Sequence, residues 1–392
     1  MNTGTRQVVA VVMLCHFIAA FAALGMPPFF ALILQRSLHN DVPWLAGAFY
    51  VVPTLLAAVS APWWGRLADR FGKKPLLLRA QLGLAASFLL ASYATSSFSF
   101  LAALVLQGVL GGTFSASNAY LATVASGTTL TRSLTAMQWS ARAALVAAPA
   151  CLGLWIGEAS PIELYRWLAL LPLAAAALIA WLPEGDAASG AAKRPPQRPA
   201  GATAAAPATP RQIYVLQFAF VFATVVTFPY FIPDMQQRMP EISAATAGLL
   251  FGLPHLVYLA AAPLLSRRLG LAPSLGLLAT AYGTLVVTLA AQAAPLGLPA
   301  LVAWRLLMGT AMTVGFIALH ALVASVVHAS NAGRTFGWFE SSSKWGGVAA
   351  GLAAGAAVSI ASPRAPYLLG AALLATTVGY LLLTARQRMS TL

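Results

Sequence analysis

Apolar stretches of about 20 residues recur along the whole sequence, and this feature restricts the fold more than any other. Examples are residues 8–34, 46–64, 75–94 and 214–232. A helix needs about 20 apolar residues to cross a hydrocarbon core roughly 30 Å thick. Only 8% of the residues are charged, against about 25% in soluble domains. The stretches also lack the alternation of membrane β-barrels. The sequence therefore predicts an all-α integral membrane protein.

The hydropathy pattern predicts twelve transmembrane helices. They cover roughly residues 7–34, 44–64, 75–94, 98–122, 135–156, 164–182, 212–233, 245–265, 274–292, 299–327, 335–360 and 364–384. The interval after the sixth helix is rich in Pro, Ala, Gly and Thr, a composition typical of flexible linkers. We therefore expect an N-terminal six-helix bundle at 1–182, a flexible cytoplasmic linker at 183–210 and a C-terminal six-helix bundle at 211–392.

The net charge of +14 is explained by membrane topology rather than by a nucleic-acid partner. With the N-terminus placed in the cytoplasm, 16 of the 23 Lys and Arg residues fall on the cytoplasmic side. Those that fall outside are Arg36, Arg166, Arg238 and Arg364, and those within spans are Arg142, Arg305 and Lys344. This asymmetry follows the positive-inside rule, so we expect both termini in the cytoplasm. The first apolar run is too long for a signal-peptide core, so we expect it to be retained as a helix.

The two halves of the chain repeat one another at a nearly constant offset. Gly47, Pro53, Pro62, Arg66 and Gly108 are matched 201 residues later by Gly248, Pro254, Pro263, Arg267 and Gly309. At an offset of 202, Pro27, Arg132 and Arg142 are matched by Pro229, Arg334 and Lys344. Prolines and mid-helix cations rarely share one offset by chance. The repeat predicts two pseudo-symmetric bundles related by an axis along the membrane normal, with a binding site between them.

A loop motif links the chain to a known family. Residues 65–75 read Gly-Arg-Leu-Ala-Asp-Arg-Phe-Gly-Lys-Lys-Pro and lie between the second and third predicted helices. This motif resembles the signature loop of the major facilitator superfamily, and the helix count and the repeat agree with that resemblance. Other segments resemble motifs of its drug:proton antiporter, sugar-efflux and siderophore-export branches: Pro27-Pro28, Trp44–Tyr50 with Arg142, Ala148-Pro149 with Gly153, and Arg305 with Met308-Gly309. The fourth helix departs from the pattern, because Leu104 occupies the position of the usual arginine.

The resemblance implies a function for the chain. It is that of a secondary active transporter in the bacterial inner membrane, which exports a small polar or amphiphilic molecule by alternating access as a proton antiporter. A siderophore, a sugar-like compound or a drug would suit. An importer or facilitator of a sugar or organic anion on the same fold is the alternative. No nucleophile, base or metal-ligand cluster occurs on facing predicted helices, so we expect no enzyme, metal or other cofactor. The expected partners are the small-molecule substrate, protons and the lipid bilayer, and we expect a monomer.

Arg142 and Lys344 are the main candidates for substrate binding. Each lies ten residues beyond a predicted helix-end cation, or about 15 Å deep. An ionised side chain at that depth costs several kcal/mol and so needs a reason. Substrate coordination is one interpretation, and a cation that merely pairs two helices is the other. For Arg305, about two turns inside the tenth helix, the two interpretations are substrate gating and structural pairing. The aromatic residues predicted to line the site with them are Phe29, Phe231 and Trp139.

Glu340 and Asp234 are the candidates for proton coupling. Glu340 precedes Lys344 by four residues, a spacing that suits an ion pair on one helical face. Protonation of Glu340 would release Lys344, although simple neutralisation of Lys344 is an equal alternative. Asp234, near the end of the seventh helix, is the second candidate, with a solvated helix end as the other interpretation. His16 and His255 are expected to be ordinary hydrogen-bonded core residues.

The signature loop predicts a gate formed by Gly65, Asp69, Arg70, Gly72 and Lys73. The resemblance implies that Asp69 interacts with the N-terminal end of the eleventh helix. Such an anion is stabilised there by about 0.3–1 kcal/mol. The two glycines would permit close packing and a tight turn, and the basic residues would also anchor the topology.

Overall fold

The computed structural model describes residues 3–125, 127–156, 160–184, 208–269, 273–326 and 332–390. Within these ranges the chain is helical and contains no strand. Each of the twelve predicted helices is present, which confirms the all-α fold class. The predicted linker at 183–210 lies mostly outside the described residues.

The first half contains helices α1 to α6. Their bounds are Thr3–Gly25 for α1, Trp44–Phe71 for α2, Lys73–Ser92 for α3, Ser97–Leu110 and Thr113–Val124 for the two segments of α4, Gly127–Ile156 for α5 and Leu164–Ala180 for α6. Short helical turns at Pro27–Phe29, Phe30–Leu32 and Ile33–Ser37 continue α1, and the turn Pro161–Glu163 precedes α6.

The second half contains helices α7 to α12. Their bounds are Pro210–Val225 and Phe231–Arg238 for the two segments of α7, Ala244–Leu269 for α8, Leu275–Ala293 for α9, Leu298–Val326 for α10, Ala332–Ile360 for α11 and Ala365–Ser390 for α12. In the described part of the chain, ten of the twelve helices are long and apolar enough to cross a membrane. The others are α7, which is interrupted, and α11, whose apolar run is broken by three serines and Lys344.

Glycine, proline and capping residues set the helix ends. Gly72 adopts φ +96°, a conformation that favours glycine, and separates α2 from α3. Gly112 adopts φ +85° and divides α4. Ser96 and Thr209 begin α4 and the first segment of α7, and each side chain accepts a hydrogen bond from the backbone N–H three residues later. Pro27 lies where α1 gives way to a 3-10 turn, because proline cannot donate the hydrogen bond that would continue the helix.

The described residues group into two compact units. The first comprises Met1–Arg194 together with Met235–Gly252, and the second comprises Pro195–Asp234 together with Leu253–Leu392. The grouping follows the two predicted halves except for Met235–Gly252, which packs with the first unit. Three glycines explain that packing, since a Cβ on Gly153, Gly248 or Gly252 would overlap backbone atoms across the contact between α5 and the start of α8.

Two clusters form the core of the first unit. One consists of aromatic rings in mostly edge-to-face contact, from Phe30, Phe49, Phe88, Phe100 and Tyr165. The other, the inner core, consists of Val9, Val12, Cys15, Leu77, Tyr120, Leu121, Met137, Ala175, Ile179 and Leu182. The inner core therefore joins α1, α3, α4, α5 and α6.

The packing within each unit repeats as the sequence does. In the first unit α1 packs on α5 and α6, and α3 packs on α4 and α6; in the second, α7 packs on α11 and α12, and α9 packs on α10 and α12. A Cβ on Gly108 would lie 2.8 Å from the Pro53 carbonyl oxygen. The same atom on Gly309 would lie 2.9 Å from the Pro254 carbonyl oxygen. The offset of 201 thus places matching helix contacts in both units and confirms the pseudo-symmetry.

Candidate functional site

The first-unit candidates for substrate binding lie on α5 and at the end of α1. Trp139 and Arg142 are three residues apart on α5, so they share one face of the helix, and both are half-buried. Phe29 lies in the 3-10 turn that follows Pro27 and is completely buried. Trp139 and Arg142 therefore retain exposed surface in this conformation, whereas Phe29 does not.

Arg305 is held inside the second unit. Its side chain is only 4% exposed, and its guanidinium carbon lies 4.3 Å from the ring centroid of Phe231. Arg305 Nη1 also donates to Gln292 Oε1 at 3.5 Å and lies 3.8 Å from Met308 Sδ. The ring face supplies a favourable electrostatic contact for a cation. Arg305 and Phe231 were both predicted to contact substrate, and in this structure they contact each other.

Asp234 lies in the first turn of the segment Phe231–Arg238. Its side chain is 1% exposed, so the interpretation as a solvated helix end is wrong. The backbone N–H of Asp234 donates to the Tyr230 carbonyl oxygen at 3.0 Å. A carboxylate near a helix N-terminus is stabilised by the helix dipole. The sequence placed Asp234 near a helix end, but it could not show that this end is covered by protein.

Lys344 lies on α11 beside a row of polar contacts to α7. Gln217 Nε2 donates to Ser343 Oγ at 2.6 Å, and Ser342 Oγ donates to the Tyr214 carbonyl oxygen at 2.7 Å. Lys344 itself is half-buried. The side chain of Glu340 lies outside the described residues, so its predicted pairing with Lys344 stays a prediction.

The predicted gating loop forms the junction of α2 and α3. The backbone N–H of Gly72 donates to the Ala68 carbonyl oxygen at 3.1 Å, which closes the tight turn expected there. Arg70 is exposed and lies 5.2 Å from the centroid of the neighbouring Phe71 ring. A Cβ on Gly65 would meet no atom within 4 Å, so close packing does not explain this glycine in the present conformation.

The remaining loop residues are basic or acidic. The side chain of Asp69 lies outside the described residues, and its predicted contact with α11 stays a prediction. Lys73 is half-buried. Its neighbour Lys74 forms a 3.9 Å ion pair with Glu184, which follows α6. That pair is worth little, because Glu184 is 84% exposed.

Arg79 has a role that the sequence did not reveal. It was counted among the cytoplasmic cations, but it lies in α3 and donates from Nη1 to the Leu110 carbonyl oxygen at 2.6 Å. Its guanidinium carbon lies 3.5 Å from the ring centroid of Trp64, whose indole N–H donates to the Val109 carbonyl oxygen at 2.6 Å. Both carbonyls belong to the end of the first α4 segment, where the helix lacks its own donors. Arg79 and Trp64 therefore cap the break in α4. The Gly111-Gly112 pair in the sequence is the signal that could have predicted this break.

Of the two histidines expected to be ordinary core residues, His16 is the one whose surroundings differ from the prediction. His16 is 3% exposed and packs against Phe114 with ring centroids 5.1 Å apart. Neither ring nitrogen of His16 has a hydrogen-bond partner in the described part of the chain, so the hydrogen bond expected of an ordinary core histidine is not made to these protein groups. Among the described residues, no group of three or more His, Cys, Asp or Glu side chains is placed to hold a metal ion.

Comparison with known proteins identifies relatives of the chain. Residues 12–279 match the family model of the Major Facilitator Superfamily. The multidrug resistance protein MdtG of Yersinia enterocolitica is 37% identical over 111 residues, which cover 28% of this chain and 27% of that protein. MdtG of Enterobacter lignolyticus is 36% identical over 111 residues, with the same shares. The chain thus matches about a quarter of the length of these relatives.

Solved structures share the fold of this chain over nearly its whole length. The human organic anion transporter MFSD10 superposes with a TM-score of 0.67 at 20% identity, covering 96% of this chain and 99% of that one. The nucleoside transporter NupG superposes with a TM-score of 0.76 at 13% identity and the same coverage. At these identities the likeness concerns the fold alone.

Proposed function

Because the chain belongs to the Major Facilitator Superfamily, whose members are multi-pass membrane transporters of small molecules, we propose that it exports a small polar or amphiphilic molecule by alternating access. The observation that carries the direction of transport is the similarity to the multidrug resistance proteins MdtG. We place the chain in the inner membrane with both termini in the cytoplasm, as its distribution of Lys and Arg indicates. Siderophores, sugar-like compounds and drugs remain candidate substrates, and the chain acts as a monomer.

Arg142, Trp139 and Lys344 form the proposed substrate-binding set. All three side chains are half-buried, so each packs against the protein and keeps part of its surface exposed. Two cations at matching repeat positions, 142 and 344, favour a neutral, zwitterionic or anionic substrate over a cationic drug. Trp139, one helical turn from Arg142, supplies an apolar face for the amphiphilic part of such a molecule.

Phe29, Phe231 and Arg305 take part in a different way. All three are almost completely buried, and Phe29 and Phe231 lie next to the interruptions at Pro27 and Pro229. They would reach a substrate only in a conformation that rearranges these interruptions. Their proposed role is to couple the bending of α1 and α7 to occupancy of the site.

Proton antiport is proposed to use Glu340 and Asp234. Glu340 precedes the half-buried Lys344 by four residues, so its protonation would change the charge beside the substrate. The carboxyl of Asp234 is buried near a helix interruption, and it is the second proposed proton carrier. The gating loop of Gly65, Asp69, Arg70, Gly72 and Lys73 would then alternate between engaged and released states.

The transported molecule is identified by comparing culture medium and cell extract from deletion and complemented strains. Complementation with wild-type protein should move at least one metabolite from cells to medium, whereas Arg142→Ala and Lys344→Ala should not. Arg211→Ala, which removes an exposed cation at the start of α7, is the matched control and should export normally. A metabolite that complementation removes from the medium would instead support the importer. Identical profiles with and without the protein would contradict transport.

Proton coupling is tested by measuring uptake of the identified molecule into inverted membrane vesicles that contain the protein. Uptake should require a pH gradient and collapse with an ionophore that dissipates it. Glu340→Gln and Asp234→Asn should each weaken this dependence. Asp69→Asn should slow transport several-fold while the amount of protein in the membrane stays normal, and an unimpaired rate in this variant would remove the proposed latch. Uptake that ignores the pH gradient would contradict antiport.

A further inference from the structure

Five uncharged polar side chains on helices α1 to α6 carry buried atoms without a hydrogen-bond partner in the described part of the chain. They are His16, Gln81, Ser117, Asn118 and Ser140. Gln81 and Ser117 are completely buried, His16 is 3% exposed and Ser140 is 9% exposed. A buried polar group without a partner is strongly unfavourable, and native proteins nearly always satisfy such groups. Five in one bundle therefore require an explanation.

These side chains occupy one layer of the bundle. His16 lies four residues after Val12, and Gln81 lies four residues after Leu77. Ser140 likewise lies three residues after Met137 of the inner core. Such spacings keep each polar residue on the helix face that its inner-core neighbour occupies. On α3 and α5 the polar residues thus lie one helical turn above the inner core, and on α1 His16 lies level with its upper edge at Cys15.

Helix α4 supplies the fourth side of the same layer. It runs opposite to α1, α3 and α5, so Ser117, four residues before Leu121, lies one turn from the inner core in the same direction. Phe114, which contacts the His16 ring at a centroid distance of 5.1 Å, lies one further turn along α4. The layer is therefore enclosed by four helices of one unit.

The second unit satisfies two of the repeat-related positions directly. Tyr282 stands 201 residues after Gln81, and its hydroxyl donates to the Leu216 carbonyl oxygen at 2.6 Å. Ser342 stands 202 residues after Ser140 and donates to the Tyr214 carbonyl oxygen at 2.7 Å. Both acceptors belong to α7. Glutamine is shorter than tyrosine, so at position 81 the side chain does not span the distance to α1 that Tyr282 spans to α7.

We propose that this layer is a water-binding site. Buried waters commonly make about three hydrogen bonds to polar groups that the protein leaves unsatisfied. A neutral imidazole offers one donor and one acceptor, the Gln81 amide offers both, and each serine hydroxyl offers both. Other polar groups of the region are already used, because the Cys15 thiol donates to the Ala175 carbonyl oxygen and the Tyr120 hydroxyl donates to the Pro183 carbonyl oxygen. Water is the ligand that matches a set of neutral donors and acceptors of this kind.

X-ray hydroxyl-radical footprinting of the wild-type protein in lipid nanodiscs tests the proposal, since radicals form from water next to the side chains they oxidise. Met137, which is 0% exposed and one turn from Ser140, should be oxidised several-fold faster than Met312, which is 4% exposed in α10. The rate at Met137 should fall to that of Met312 in Gln81→Leu. Equal rates at the two methionines in the wild-type protein would overturn the proposal.

Matched serine substitutions give a second test that does not depend on transport. Ser87, 1% exposed, donates to the Leu84 carbonyl oxygen at 2.8 Å, whereas Ser117 has no protein partner in the described ranges. If water satisfies Ser117, then Ser117→Ala and Ser87→Ala should lower the thermal midpoint by similar amounts, on the order of 2 °C. A midpoint that stays unchanged or rises in Ser117→Ala would mean that the hydroxyl lies in a dry interior, and would contradict the site.

Discussion

The two halves of the repeat share their backbone packing and differ in how they satisfy polar groups. Gly108 and Gly309 meet the backbone of Pro53 and Pro254 in equivalent ways. The halves differ in their hydrogen bonds. Tyr282 on α9 and Ser342 on α11 donate to carbonyl oxygens of α7. Their counterparts Gln81 on α3 and Ser140 on α5 make no such bond to α1. The two halves therefore share the glycines that close helix contacts require, but they differ in the hydrogen bonds between their helices.

Helices α4 and α10 show the same divergence. The first is interrupted at Gly111-Gly112 and capped by Arg79 and Trp64, whereas Leu298–Val326 is continuous. The positions equivalent to Arg79 and Trp64 are Thr280 and Leu265, which cannot cap a helix break in this way. The broken helix and its cap therefore belong to the first half alone.

The largest effect is expected where the halves agree. Gly108→Ala and Gly309→Ala each place a Cβ less than 3 Å from proline backbone atoms, so each should destabilise the protein by about 1–3 kcal/mol or more through overpacking. Gly283→Ala, with no atom within 4 Å of the new Cβ, is the control and should be neutral. Thermal unfolding in detergent measures all three, and tolerance of either substitution would break the equivalence of the two contacts.

Removing the cap of α4 should come next. Arg79→Leu leaves the Leu110 carbonyl without its donor and removes the stacking on Trp64, so we expect a loss of about 1.5–3 kcal/mol. Arg79→Lys should recover only part of it, because lysine cannot stack as a planar group. Thr280→Leu at the equivalent, exposed position of α9 should be nearly neutral. The same unfolding assay checks the series, and equal effects at positions 79 and 280 would contradict the asymmetry.

A smaller effect should follow the loss of one direct hydrogen bond in the second half. Tyr282→Phe keeps the buried ring and leaves the Leu216 carbonyl without a donor, at a loss of about 1 kcal/mol. Tyr93→Phe is the control, since Tyr93 is 63% exposed. If the midpoints of the two variants match, Tyr282 does not tie α9 to α7.

The smallest effect concerns helix capping, which both halves use. Ser96→Ala and Thr209→Ala each remove the side-chain acceptor at a helix N-terminus, and each should destabilise by about 0.5–1 kcal/mol. Ser96→Asn and Thr209→Asp retain a capping oxygen and should restore stability. Chemical unfolding resolves differences of this size, and a loss confined to one half would show that the two caps are not equivalent.

The sequence predicted the parts of this structure that depend on length and periodicity. Twelve apolar runs gave the helices, and the offsets of 201 and 202 gave the equivalent contacts at Gly108 and Gly309. The interruptions of α1 and α7 at Pro27-Pro28 and Pro229 were not predicted, since the expected helices 7–34 and 212–233 ran through them, although proline ends a run of helical hydrogen bonds.

The side-chain environments were harder to predict, since sequence position gives depth but not direction. Asp234 was placed near a helix end, yet whether protein or solvent covers that end depends on residues far away in the sequence. His16 was expected to be an ordinary hydrogen-bonded core residue, but its actual neighbour is the Phe114 ring on another helix. Arg79 was only counted among the cytoplasmic cations, because the carbonyl groups that it and Trp64 cap lose their helical donors only where α4 breaks.

The most direct test of the account measures outward transport by the purified chain. Reconstituted in proteoliposomes with its cytoplasmic side facing out and an acidic interior, the protein should drive accumulation of the metabolite identified by medium profiling. The double variant Arg142→Ala/Lys344→Ala should lose at least nine-tenths of that rate, whereas Arg211→Ala should retain it. Wild-type rates in the double variant, or accumulation equal to that of empty liposomes, would contradict the proposal that these two cations serve a substrate.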